Sequence, residues 1–139
     1  MTTRIQQSLH AILACPRQEL GQLFYDKFLT NCPDAAPFFA GLDLKVQAKV
    51  LINSLQVVVA CQFNQYPAAE SYLVVLGNRH HRRNIPPSLY PQFREAMLLT
   101  LAQFHGDQWN DELEAEWRAA LDRATEWMLS GYVVDHMTY

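Results

Sequence analysis

Seven prolines, at positions 16, 33, 37, 67, 86, 87 and 91, divide the chain into long stretches in which nothing forbids a helix. Proline is tolerated in the first turn of a helix and breaks its interior, so each is read as a helix start or a corner. The intervening stretches predict helices over residues 3–14, 16–31, 34–40, 44–62, 67–82, 88–105 and 110–130. Gly106 and Gly131 fall just past two of them, where a left-handed C-cap belongs. The apolar periodicity agrees. Leu89, Phe93, Met97, Leu101 and Phe104 form one helical stripe, and Leu113, Trp117, Ala120, Leu121, Ala124 and Met128 form another. The β-branched run Val57-Val58-Val59 favours a strand locally, but it lies within Leu51, Leu55 and Val58, a helical pattern. The expectation is an all-α chain of about seven helices.

A length of 139 residues suits one domain, residues 1–139, and no repeat or low-complexity tract divides it. With 50% hydrophobic and 18% charged residues, intrinsic disorder is excluded. The net charge of −3 argues against nucleic acid as a partner, since phosphate recognition needs a positive surplus. No glycine-rich loop is present to cradle a nucleotide. Cys15, Cys32 and Cys61 form no C-x-x-C pair, which leaves them as idle thiols in a reducing compartment rather than zinc ligands or disulfides. The apolar stretch at residues 11–14 is too short for a signal peptide, and no apolar run approaches the roughly 20 residues that span a bilayer. A soluble, cytoplasmic protein with no membrane partner is expected.

Five histidines, His10, His80, His81, His105 and His136, are the residues with chemistry to place. Leu73, Leu76 and His80 stand at i, i+3 and i+7, so only His80 shares a helical face with two leucines. The ordinary reading of such a histidine is a hydrogen-bonded core residue. The alternative is an axial haem ligand, which needs a neutral imidazole in an apolar pocket with one nitrogen on iron and the other hydrogen-bonded. His81 is turned about 100° to the flank of the same helix and is the poorer candidate.

The segment Leu76-Gly77-Asn78-Arg79-His80 resembles the proximal-histidine motif L-G-x-x-H of the globin family, followed by Ile85 and by Tyr90-Pro91 opening the next helix. Leu23-Phe24-Tyr25, then Cys32-Pro33-Asp34 and Phe39, resemble the family's second helix, its proline-led third helix and its haem-stacking phenylalanine. Trp117 matches a common tryptophan of the final helix. The resemblance covers nearly the whole chain and is closer to single-domain bacterial haemoglobins related to flavohaemoglobins and neuroglobin. It implies a globin fold around a haem pocket, with little or no helix between the third helix and the distal one. It also implies haem b, with His80 as the iron ligand and Phe39, Gln47, Leu51, Leu76, Ile85 and Tyr90 about the cofactor. Tyr25, Gln47 and Leu51 would face a diatomic gas. Counting from Phe39 instead offers Val46 in place of Gln47; the separation from His80 and the polar side chain favour Gln47. Tyr25 has an ordinary reading too, as a core aromatic with its hydroxyl bonded to backbone.

Departures from the family pattern carry their own expectations. His10 stands where a first-helix tryptophan is usual. Flavohaemoglobins support the proximal histidine with a tyrosine and a glutamate; Tyr90 matches the first, but the second falls near Tyr132. Without that carboxylate, His80 should be less imidazolate-like. In the run Arg79-His80-His81-Arg82-Arg83, either Arg83 or His81 would pair with a haem propionate, unless the run is only a solvated helix end complementing the dipole. The acidic residues Asp107, Asp111, Glu112, Glu114 and Glu116 read as charge at a helix N-terminus and nothing more. Trp127, Tyr132 and Tyr139 are aromatics that could furnish a subunit contact.

Reversible binding of oxygen, nitric oxide or carbon monoxide, for oxygen transport or storage, is the leading function. The alternative is a nitric-oxide dioxygenase or peroxidase-like enzyme served by a separate reductase, since no reductase domain follows. Gas sensing would need an output domain. A helical domain without cofactor is the reading that a spectrum of the protein would expose.

Overall fold

The computed structural model describes residues 3–63 and 67–133. Among them, six α-helices run in the order α1 (Arg4–Leu13), α2 (Arg17–Asn31), α3 (Leu44–Gln62), α4 (Pro67–Arg82), α5 (Leu89–His105) and α6 (Asp111–Ser130). A 3-10 helix, Pro33–Phe39, joins α2 to α3. Residues 40–43 carry no helix, and no strand occurs among the described residues. His136 and Tyr139 lie outside them. The helix starts follow from local chemistry. Thr3 and Gln6 form a reciprocal capping box before α1, Asp43 accepts from the Lys45 amide, and Asn110 accepts from the Leu113 amide. Val57, Val58 and Val59 are helical, because α3 buries Leu51, Leu55 and Val58 on one face and packing overrides their local preference. Pro37 is neither a start nor a corner but lies inside the 3-10 helix, where one absent N–H removes one bond of a short run.

The core is continuous from α1 to α6, with Phe24, Ile52, Met97, Leu101 and Trp117 fully buried. At Gly77, α4 approaches α6 so closely that a Cβ would collide with the backbone carbonyl of Met128. Gly131 corrects the sequence expectation. Its φ of −72° is right-handed, and it is there because a Cβ would strike the Val74 carbonyl, while its own carbonyl accepts from the buried Asn78 side chain at 3.1 Å. Gly106 does take a positive φ of 56°, but its ψ of −123° lies outside the left-handed helical well. These crossings set where the C-terminal half of α4 stands.

One further expectation changes. The acidic residues do more than complement a dipole: Arg4 pairs with Glu112 and Glu116, tying α1 to α6, and Glu114 pairs with Arg118. All of these pairs are solvent-screened and worth little each. Among the described residues, the 19-residue α3 is long and apolar enough to span a bilayer by length and composition alone, with a mean hydropathy of 1.3 in its 18-residue window. Polar residues interrupt it at Lys45, Gln47, Lys49, Asn53, Ser54 and Gln56, so it contains no unbroken apolar run of membrane-spanning length. Its burial of Ala48, Leu51, Ile52, Leu55, Val58, Val59 and Cys61 against the other helices is that of a core helix. Trp127 packs partly buried against the core.

Candidate functional site

A cavity of about 240 Å³ opens among α2, the 3-10 helix, α3, α4, α5 and α6. Its wall is almost wholly apolar, and it includes every site residue expected from the sequence: Tyr25, Phe39, Gln47, Leu51, Leu76, His80, Ile85 and Tyr90. Val46 is 53% exposed and does not line it, so helical phase brings Gln47 and not Val46 to the site. The half-exposed Val50 and Tyr72 line it too, which marks its mouth.

His80 enters from the last turn of α4. The residues of the motif before it each fix part of the surroundings. Leu76 lines the cavity, Gly77 permits the α6 crossing, and Asn78 bonds to Gly131. The helix then stops in a Schellman turn. Asn84 adopts a left-handed φ of 63°, its amide donates to the His81 carbonyl, and the Ile85 amide donates back to the His80 carbonyl at 3.0 Å. This reversal returns Ile85 to the cavity beside the imidazole. An asparagine just past the last periodic residue is the signal the sequence holds for this turn, and sequence reasoning missed it. Nδ1 of His80 lies 2.8 Å from the Tyr90 hydroxyl. Burial first, and the nearby Arg83 guanidinium second, push the His80 pKa down to about 4, so the ring is neutral at pH 7.

Tyr25 reaches the same cavity from α2. Phe24 and Phe39 hold its ring edge-on, at 5.0 and 5.2 Å between centroids. The residue is only 6% exposed, yet its hydroxyl has no hydrogen-bond partner among the described residues. The expected backbone bond of an ordinary core tyrosine is therefore missing. Burial pushes the pKa up to about 12, which keeps the group a neutral donor. Gln47 is half-buried on the face of α3 that also supplies Leu51, Leu55 and Val58 to the cavity.

At the rim Arg83 and His81 separate. Arg83 lines the cavity and donates to the Phe38 carbonyl at 2.9 Å, joining the end of α4 to the 3-10 helix that carries Phe39. His81 is exposed and rests against the Tyr132 ring, 5.1 Å between centroids. Of the two proposed propionate partners, only Arg83 is at the site. An open-sided apolar slot, one imidazole with a single nitrogen engaged, a rim guanidinium and an unpartnered hydroxyl make a donor set that suits haem.

Comparison with known proteins agrees with this construction. The Globin family model matches residues 22–128. A leghemoglobin of Lupinus luteus is 31% identical over 81 residues, which are 58% of this chain and 53% of the plant protein, so the match spans about half that relative's length. A crystal structure from Pseudomonas aeruginosa, described as structurally highly homologous to a human hemoglobin, superposes with a TM-score of 0.78 at 26% identity. It covers 93% of this chain and 95% of its own. The matched span runs from the helix that carries Tyr25 to the one that closes over Gly77, and on that evidence the chain belongs to the globin family.

Proposed function

We propose that this chain holds haem b through His80 and binds a diatomic gas, oxygen, nitric oxide or carbon monoxide, reversibly on the side of Tyr25 and Gln47. The observation that carries the proposal is an apolar cavity lined both by a neutral imidazole and by a buried tyrosine whose hydroxyl has no hydrogen-bond partner among the described residues. Haem iron, when bound, supplies the coordination site for the gas. The chain supplies the remainder. His80 offers Nε2 while Nδ1 stays engaged with Tyr90. The apolar lining lowers the local polarity, which strengthens any hydrogen bond made inside. Arg83 stands where a propionate can meet a guanidinium. Free thiols, two of the three buried, and a globin core fit a cytoplasmic oxygen-binding role.

The test is a spectrum of haem-supplied protein followed by stopped-flow mixing of the reduced form with oxygen. A sharp Soret band and a reversible oxygen-dependent shift are expected; absence of the band rejects the proposal. Subsequent mixing with nitric oxide separates binding from dioxygenation. Stoichiometric nitrate, sustained only when a separate reductase is added, would move the assignment to the enzyme.

A further inference from the structure

Behind His80 runs a chain of three hydrogen bonds whose direction can be worked out by counting protons. The Tyr132 hydroxyl, on the turn that follows α6, donates to the Ile85 carbonyl at 2.8 Å. A carbonyl has no proton to return, and a hydroxyl has only one to give. Tyr132 can therefore only accept from Tyr90, whose oxygen is 3.2 Å away. That commits the single proton of Tyr90 as well. Facing His80 at 2.8 Å, Tyr90 can then only accept, and Nδ1 must carry the imidazole proton.

We infer that Tyr132, through Tyr90, is a positioning residue that sets the tautomer of His80, placing the proton on Nδ1 and leaving the Nε2 lone pair free for a metal. The acceptor at the far end exists because the Schellman turn at Asn84 orients the Ile85 carbonyl, so the relay is built from the termini of two helices and one residue of α5. It ends on a neutral carbonyl rather than a carboxylate. The tautomer is thus selected without a full negative charge behind the ring. The importance of this device rests on the proposed haem ligation, but the tautomer itself does not.

The experiment uses the full-length chain labelled with ¹⁵N-histidine, at pH 8, before and after haem is added. Two-bond proton–nitrogen correlations read the protonated nitrogen directly. Wild-type His80 should carry its proton on Nδ1 before haem is present. In Tyr132→Phe the Tyr90 proton loses its acceptor and turns to Nδ1, so the imidazole proton should move to Nε2. Transfer of haem to a scavenger protein should then be about tenfold faster in Tyr132→Phe than in wild type. In a Tyr90→Phe background the same Tyr132 change should alter the transfer rate by less than twofold, because its route to His80 is gone. Helical circular dichroism checks that each variant is folded. A wild-type proton on Nε2, an unchanged tautomer in Tyr132→Phe, or an equal effect of Tyr132→Phe in both backgrounds would overturn the inference. Failure of the Soret test with the tautomer intact would reject haem ligation and leave the relay standing.

Discussion

The candidate ligand and its immediate neighbour in sequence face different surroundings. His80 lines the cavity with Leu73 and Leu76, whereas His81 is exposed against Tyr132. His80→Ala should abolish stable haem retention and His81→Ala should leave it nearly intact, as read from the Soret band after gel filtration. The opposite pattern would shift the assignment by one residue. Across the cavity, Tyr25 loses little rotamer freedom by donating, held as it is between Phe24 and Phe39, while Gln47 has more torsions to fix. Bound oxygen carries partial negative charge, and a bond to a charged acceptor is worth roughly 1.5–3 kcal/mol. Tyr25→Phe should therefore speed oxygen release about ten- to a hundredfold, with carbon monoxide release changed far less. Gln47→Leu should do less, unless the two act as one network and their effects fail to add in the double mutant. An unchanged off-rate in Tyr25→Phe beside a large rise in Gln47→Leu would make glutamine the donor.

At the level of helices, the crossing of α4 over α6 decides where His80 points. Gly77→Ala forces a methyl into the Met128 backbone, which cannot step aside as a side chain can. A loss of about 3 kcal/mol is expected, at the upper end of overpacking costs, with weakened haem retention; Ser71→Ala on the exposed face of α4 should stay within about 0.5 kcal/mol. Urea unfolding of the two variants checks this. A second junction holds α1. The indole of Trp117 donates to the buried Ser8 hydroxyl at 2.9 Å, and Ser8 lies 2.6 Å from Nε2 of His105. The Ser8 hydroxyl thus joins the Trp117 indole and the His105 ring in one buried junction between α1, α5 and α6. Burial lowers the His105 pKa below the ordinary 6.5. The unfolded chain then binds the proton more readily than the folded one, so this stabilisation is complete above about pH 6.5 and declines as pH falls toward the folded value. Urea midpoints between pH 7.5 and 5 should fall less steeply in His105→Gln than in wild type; parallel curves would show that the junction does not titrate.

For the molecule as a whole, a cofactor filling the cavity and the stability of the fold are one linked quantity. Haem at a hundredfold over its dissociation constant adds about 2.7 kcal/mol, and one kcal/mol in a chain of this length moves Tm by about 4 °C. Loading should raise Tm by roughly 10 °C, and His80→Ala should lose most of that rise. Arg4→Ala, which removes the exposed pairs to Glu112 and Glu116, should shift Tm by about 1–2 °C at most. A His80→Ala protein with the full haem-dependent rise would show that the cofactor is held elsewhere.

Helix number, order and limits were legible in the chain itself, because proline and apolar stripes such as that of α6 act within a few residues of where they stand. The face argument likewise brought His80, Gln47 and Leu51 to the cavity, since helical phase is a local property. What depended on distant partners was not legible. Gly131 looked like a cap until α4 was seen against it, and Pro37 like a corner until its turn proved 3-10. Arg83 and His81 were indistinguishable as propionate partners until one bonded the Phe38 carbonyl and the other met Tyr132. Tyr132 in sequence is an aromatic in place of a missing carboxylate. Its hydrogen bonds to Tyr90 and to the Ile85 carbonyl exist only once α5, the close of α6 and the Asn84 turn converge, because a hydrogen bond is decided by ångström distances between groups that sequence separation does not encode.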